Sequence, residues 1–286
     1  MVDPSSPLTI GQCAALACVL EAIAPKPGNV HPGCDFEDMT FADFAVSSSV
    51  IGPAIDAAPQ QGVGQTVLQA VRATRRLVPV NTNLGMALLI APLACVPREQ
   101  PLATGIAGVL DRLTPADADR VYRAIRLAEP GGLGTVDQMD VAARPPEDLR
   151  AAMRAAADRD LVARQYVEDF DQVLNFVLPS LCAARAAGWS LTAGIVHTQM
   201  RLMAAYPDSL IARKCGRATA ERSAAMAAEV LAAGEPGDEP YQRRLADLDL
   251  WLRSDDHRRN PGTTADLIAG GLFAALRDNR LHPPFR

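Results

Sequence analysis

Leu161-Val162-Ala163-Arg164-Gln165-Tyr166-Val167-Glu168-Asp169-Phe170-Asp171-Gln172-Val173-Leu174-Asn175-Phe176-Val177-Leu178-Pro179-Ser180-Leu181 is the heart of the longest periodic stretch in the chain. Apolar side chains at Leu161, Val162, Tyr166, Phe170, Val173, Leu174, Val177 and Leu181 recur every three to four residues and line one face of a helix. Gly188 supplies the residue that helix C-termini favour, so the spacing predicts one helix over 158–187.

The same period continues on both sides. Residues 8–24 carry Leu8, Cys13, Leu16, Val19, Leu20 and Ile23 at helical spacing. Thr40-Phe41-Ala42-Asp43 has the form of a capping box and opens a helix running toward Pro53. Thr114-Pro115-Ala116-Asp117 opens another, with proline at the first helical position. Residues 62–78 form an amphipathic helix whose Arg72, Arg75 and Arg76 sit where cations favour the helix dipole. Leu84 to Val96 is the most apolar run and a core helix, shorter than the roughly 20 residues a membrane span needs. Further helices are expected near 191–205, 208–233, 239–253 and 263–278. No stretch alternates β-branched and aromatic residues, and no internal repeat is present. The expected fold is all-α, a single globular multi-helix domain over residues 1–286.

Composition narrows the function. A net charge of −5 over 286 residues leaves no broad basic surface, which argues against nucleic acid as partner. The six cysteines show no CxxC pair or zinc-ligand spacing and suit reduced, buried thiols in a cytoplasmic protein. Ala22-Ile23-Ala24 imitates a signal-peptidase site, but no basic segment precedes it, so neither secretion nor a membrane is expected.

Chemistry concentrates in four polar loops at helix ends. Pro25-Lys26-Pro27-Gly28-Asn29-Val30-His31-Pro32, followed by Asp35, Glu37 and Asp38, is stiffened by prolines and freed at Gly28. His31 there is exposed or site-lining. Val80-Asn81-Thr82-Asn83-Leu84-Gly85 precedes the apolar helix and holds more polar side chains than one cap needs, although Asn81, Thr82 or Asn83 could simply cap it. Glu129-Pro130-Gly131-Gly132-Leu133-Gly134, with Asp137 and Asp140, is a glycine turn but neither GxGxxG nor a phosphate loop. Asn260-Pro261-Gly262-Thr263-Thr264-Ala265-Asp266 opens the last helix, and Thr263 to Asp266 also reads as an ordinary capping box. Helix termini hold anions and hydroxyls, and a bundle can gather such loops at one end. Lys26, Arg159 and Lys214 would then bind phosphates, while Asp35, Asp38 and Asp266 offer hard oxygen ligands for Mg²⁺, which together suit a nucleoside triphosphate. No GxSxG elbow or Ser-His-Asp order occurs, and His197, His257 and His282 have no partner pattern.

The residues carry a resemblance to the triphosphoribosyl-dephospho-CoA synthase family. It rests on Pro25 to Val30, Asp38-Met39 with Phe41 to Ser47, Val80-Asn81-Thr82 with Gly85, and Gly131 to Gly134 with Asp140. It continues through Arg159-Asp160 with Gln165-Tyr166, Pro207-Asp208-Ser209 with Lys214, and Pro261-Gly262 with Ala265-Asp266. The resemblance implies an all-helical transferase in which the ribose 2′-hydroxyl of dephospho-CoA attacks C1′ of ATP, adenine leaves and the triphosphate stays attached. It implies catalytic roles for Lys26, Asp38 and Asp266, with Asp38 and Asp266 for metal or base beside Asp35, which is a metal candidate on its chemistry alone. Nucleotide contacts fall to Lys26, Asn29, His31, Asn81, Thr82, Asn83, Gly85, Arg159 and Lys214. Mg²⁺ accompanies ATP, the partners are small molecules, and a homodimer is left open. Two departures stand out: Asn83-Leu84-Gly85 replaces a His-Lys-Gly continuation, and His31-Pro32 replaces Asp-Arg. The alternatives are therefore a divergent enzyme of another cofactor pathway, of the one-carbon pterin or furan type, or a non-catalytic nucleotide- or CoA-binding protein.

Overall fold

The structure, a computed structural model, describes residues 8–130 and 145–285. Thr9 accepts from the backbone N–H of Gln12 while the Gln12 side chain accepts from that of Thr9, and this box opens α1 (Ile10–Ile23). Thr40 and Asp43 do the same for α2 (Phe41–Asp56). The short α3 (Ala58–Gln61) ends at Gly62, whose φ of 79° turns the chain into α4 (Val63–Arg75). The apolar α5 (Leu84–Ala94) comes next, then α6 (Leu102–Asp111), which the sequence pattern had not signalled, and α7 (Pro115–Ala128), opened by the Thr114/Asp117 box. The glycine turn at 131–134, with Asp137 and Asp140, lies outside the described residues.

Beyond it, α8 (Leu149–Ala156) leads to α9 (Leu161–Val167), and here the single helix expected over 158–187 is corrected. Asp169 and Phe170 adopt left-handed backbone, residues 172–177 form a π-helical turn, and only then does α10 (Leu178–Ala186) resume. The cause is Gln165, fully buried, whose amide donates to Leu161 O and to the Gln172 side chain while its oxygen accepts from Val173 N–H. That side chain takes over hydrogen bonds which the helical ladder would otherwise make. All eight apolar positions of the stretch are nonetheless buried. The remaining helices are α11 (Leu191–Ala205), α12 (Ser209–Cys215), α13 (Arg217–Ala232), α14 (Glu239–Arg253) and α15 (Gly262–Arg277). The helix expected over 208–233 is thus two, divided at Gly216 with φ 88°.

Two helices organise the core. In α5 every residue but Gly85 is buried, and α15 is buried along nearly its whole length. α15 packs against α1, α5, α10 and α11. A side chain at Gly271 would collide with Val177, so the glycine lets the π-helical turn press onto α15. A second hydrophobic cluster, with Met200, Ile211, Tyr241 and Leu252, ties together α11 to α14 and meets the first through Leu245. The described residues are all-α, and none of their helices is long and apolar enough to cross a membrane.

Candidate active site

The loops before α2, α5, α12 and α15 and the start of α9 open on one cavity of about 1630 Å³. Three of the four polar loops predicted to converge do so here, and Glu129 and Pro130 of the fourth also reach its wall. Of the expected residues, Asn29, Asp38, Asn81, Thr82, Asn83 and Gly85 line it, as do Arg159, Lys214 and Asp266.

Lys26, His31 and Asp35 do not. The Lys26 ammonium is fully buried 2.8 Å from the Glu21 carboxylate and also donates to the Glu21 carbonyl oxygen, so it does not meet phosphate directly. Asp35 accepts from Phe41 N–H at 2.7 Å and serves the start of α2. His31 contacts its own neighbour's carbonyl, at Pro32, and burial lowers its pKa below the ordinary histidine value. These placements correct the phosphate, nucleotide and metal expectations for those three residues. The loop is nonetheless rigidly held, because Gly28 N–H donates to Asp249 at 2.7 Å and Asn29 bonds both Gln199 and Asn260. Gly28 sits at φ +73° against Leu252 and Pro261, where a side chain would be strained and crowded.

In the second loop, Asn81 Oδ1 accepts from the N–H of Leu84, the first residue of α5, whose N-cap Asn83 makes no side-chain cap bond. Thr82 pairs with Ser47, and Asn83 donates to Thr74 at 2.8 Å. Gly85 leaves space for a carboxylate, since a Cβ there would overlap Asp266. The Thr263-to-Asp266 capping box expected at α15 does not form. Thr264 instead donates its N–H and hydroxyl to buried Asp208, at 2.7 and 2.8 Å, and Thr263 accepts from Ser209. Asp208 also accepts from Leu210 and Ile211 N–H, so one carboxylate ties the first turns of α12 and α15 together.

Asp266 is thereby free to face the cavity. Burial, reinforced by the carboxylates of Glu21, Asp208 and Asp160, holds its pKa well above the usual carboxylate range, with Arg213 opposing. Glu21, which sequence spacing did not single out, also lines the cavity; burial raises its pKa while Lys26 draws it back. Only a contact five residues along the chain, set by a turn, would have revealed it. Arg159, Arg213, Lys214 and Arg217 line the same cavity, and Arg213 lies near enough to Asp266 to oppose the rise in its pKa. Asp160 caps α9 and pairs with Arg213 at 3.2 Å. Burial, then Arg213, lowers the pKa of Lys214, while Asp38 pulls it up. Arg75 also reaches the cavity but is paired with Glu129 at 3.3 Å. Carboxylates and cations thus share the lining, with Asp160 paired to Arg213 and Glu221 to Arg217, and the apolar Leu84, Leu88 and Met153 complete it. Among the described residues no three His, Cys, Asp or Glu side chains converge as a metal site.

A family profile described as CitG, ATP:dephospho-CoA triphosphoribosyl transferase, matches residues 7–284. The chain is 26% identical over 303 residues to a protein of Malonomonas rubra described as a probable 2-(5″-triphosphoribosyl)-3′-dephosphocoenzyme-A synthase, covering 96% of this chain and 89% of that one. It also resembles the crystal structure of a candidate triphosphoribosyl-dephospho-CoA synthase from Archaeoglobus fulgidus, with a TM-score of 0.61 and 25% identity over 81% of this chain and 97% of the other.

Proposed function

The chain belongs to the CitG family of ATP:dephospho-CoA triphosphoribosyl transferases, and from that premise we propose how its cavity carries out the transfer. It is a transferase that uses ATP and dephospho-CoA. A cavity of about 1630 Å³ exceeds the roughly 300–1,000 Å³ of an ordinary ligand pocket and suits two large substrates bound together.

The reaction forms a bond between the acceptor's ribose 2′-oxygen and C1′ of ATP as the C1′–N9 bond breaks. The hydroxyl proton passes to a base, and adenine leaves carrying the electron pair and a proton. The observation that supports this assignment best is Asp266, a carboxylate of raised basicity that lines one cavity together with Arg159, Arg213 and Lys214. Asp266 takes the hydroxyl proton, since its burial beside Glu21 and Asp208 favours the protonated form. Arg159, Arg213 and Lys214 hold the triphosphate, with Arg217 at the rim. Asn29 and Asn81 contact ribose or base, and Asp38 lines the cavity near enough to favour the charged form of Lys214. The enclosing Leu84, Leu88 and Met153 exclude water, which would otherwise compete for C1′. Mg²⁺ would arrive with the ATP phosphates, for which one or two carboxylates suffice as protein ligands, and Asp38 in the lining is placed to supply one.

Incubation with Mg·ATP and dephospho-CoA, followed by mass spectrometry, should give free adenine and a triphosphoribosyl adduct. Asp266→Asn should lower kcat by about 10²-fold or more with little change in the KM for ATP. Wild-type protein that is stabilised by ATP yet releases no adenine would shift the assignment to a different acceptor; unchanged turnover in the variant would remove Asp266 as base.

A further inference from the structure

The turn between α14 and α15 is more constrained than a connector requires. Asp256 and His257 are consecutive non-glycine residues with left-handed backbone, at φ 46° and 48°. Such conformations are costly and persist where the surroundings enforce them, most often beside functional sites. The effect here is to lay the His257 ring flat on Phe36, with centroids 4.2 Å apart and planes 10° from parallel. It also brings His257 Nε2 to 3.2 Å from Asp38 Oδ1. The next residue, Arg258, donates to the backbone oxygen of Lys214 at 3.1 Å, and Asn260 holds Asn29. Arg253 adds a cation over the Phe36 ring at 5.7 Å.

His257 itself does not line the cavity, whereas Asp38 and Lys214 do. The Asp38 side chain is 67% exposed, and a carboxylate that exposed has no fixed direction without a partner. We propose that His257 is a positioning residue, a ring stacked on Phe36 that holds the Asp38 carboxylate at the cavity wall while the same turn fixes the backbone of Lys214 in that wall. The Lys214 amine is thereby set for the triphosphate, a role that rests on the function proposed above. Nothing in the linear sequence places His257 near Asp38, which lies more than two hundred residues earlier.

The chain holds only two lysines, and Lys26 is fully buried, so acylation of Lys214 can be followed cleanly by peptide mapping. His257→Ala should leave the folded state intact and raise the rate at which acetic anhydride labels Lys214 several-fold, because the amine loses the neighbouring carboxylate that favours its charged form. The same variant should raise the KM for ATP about 5–10-fold with kcat within about twofold. His257→Gln, whose terminal amide reaches about as far as Nε2 and keeps a donor toward Asp38, should restore both values most of the way. Wild-type labelling and KM in a folded His257→Ala protein would overturn the clamp. ATP that fails to protect Lys214 in the wild type would count against the triphosphate placement alone, leaving the effect of His257→Ala on labelling to decide the clamp.

Discussion

Lys26 shows how a residue can be recognised as important and still be given the wrong task. Its polar, proline-braced loop was legible, but the direction of its side chain was not, because the turn folds the ammonium back onto Glu21 in the preceding helix. A buried pair of this kind contributes less by its attraction than either charge costs when left alone. Glu21→Gln should therefore destabilise the protein by about 3–5 kcal/mol in urea titration, and adding Lys26→Met should recover much of that loss. Asp266 makes the opposite case. Its pKa is raised in the folded state, so folding binds its proton more tightly, and stability present at low pH is lost as pH rises from the unfolded value through the folded one. Asp266→Asn should accordingly raise Tm relative to wild type at pH 8, with the advantage shrinking toward pH 4, even as turnover falls. A Tm difference independent of pH would contradict this. On the proposed role, Asp266 would be a carboxylate kept for chemistry at the expense of the fold.

The helix read over 158–187 was correct about burial and wrong about hydrogen bonding. All eight of its apolar positions are buried, since both halves present the same face to the core. The break depends on Gln165, whose role is set by what packs around it and leaves no trace in periodicity. The same limit explains the unformed box at Thr263: its motif is local, but Asp208, more than fifty residues earlier, competes for Thr264 and wins with two hydrogen bonds. The packing at this break gives its own test. Gly271→Ala pushes a methyl group into Val177 and should cost about 1–3 kcal/mol by chemical denaturation while leaving the KM for ATP unchanged. An unaltered midpoint would mean that the π-helical turn yields freely.

Across the whole molecule, the absence of alternating strands and the repeated capping boxes made an all-α bundle legible, and the position of polar loops at helix ends marked the site. Which wall would carry charge was not legible. A net charge of −5 hides a local group of Arg159, Arg213, Lys214 and Arg217, brought together by the meeting of α9, α12 and α13. Long-range closure is the rule here: the loop at Gly28 is fastened by Gln199, Asp249, Arg253 and Asn260. The pairing of α5 with α15 has a consequence for biosynthesis. The most apolar helix leaves the ribosome about 180 residues ahead of the helix that covers it, a delay of roughly 10–40 s at ordinary elongation rates. During that interval the nascent chain must shelter α5 with provisional contacts or a chaperone, and the cavity cannot form until α15 has been made.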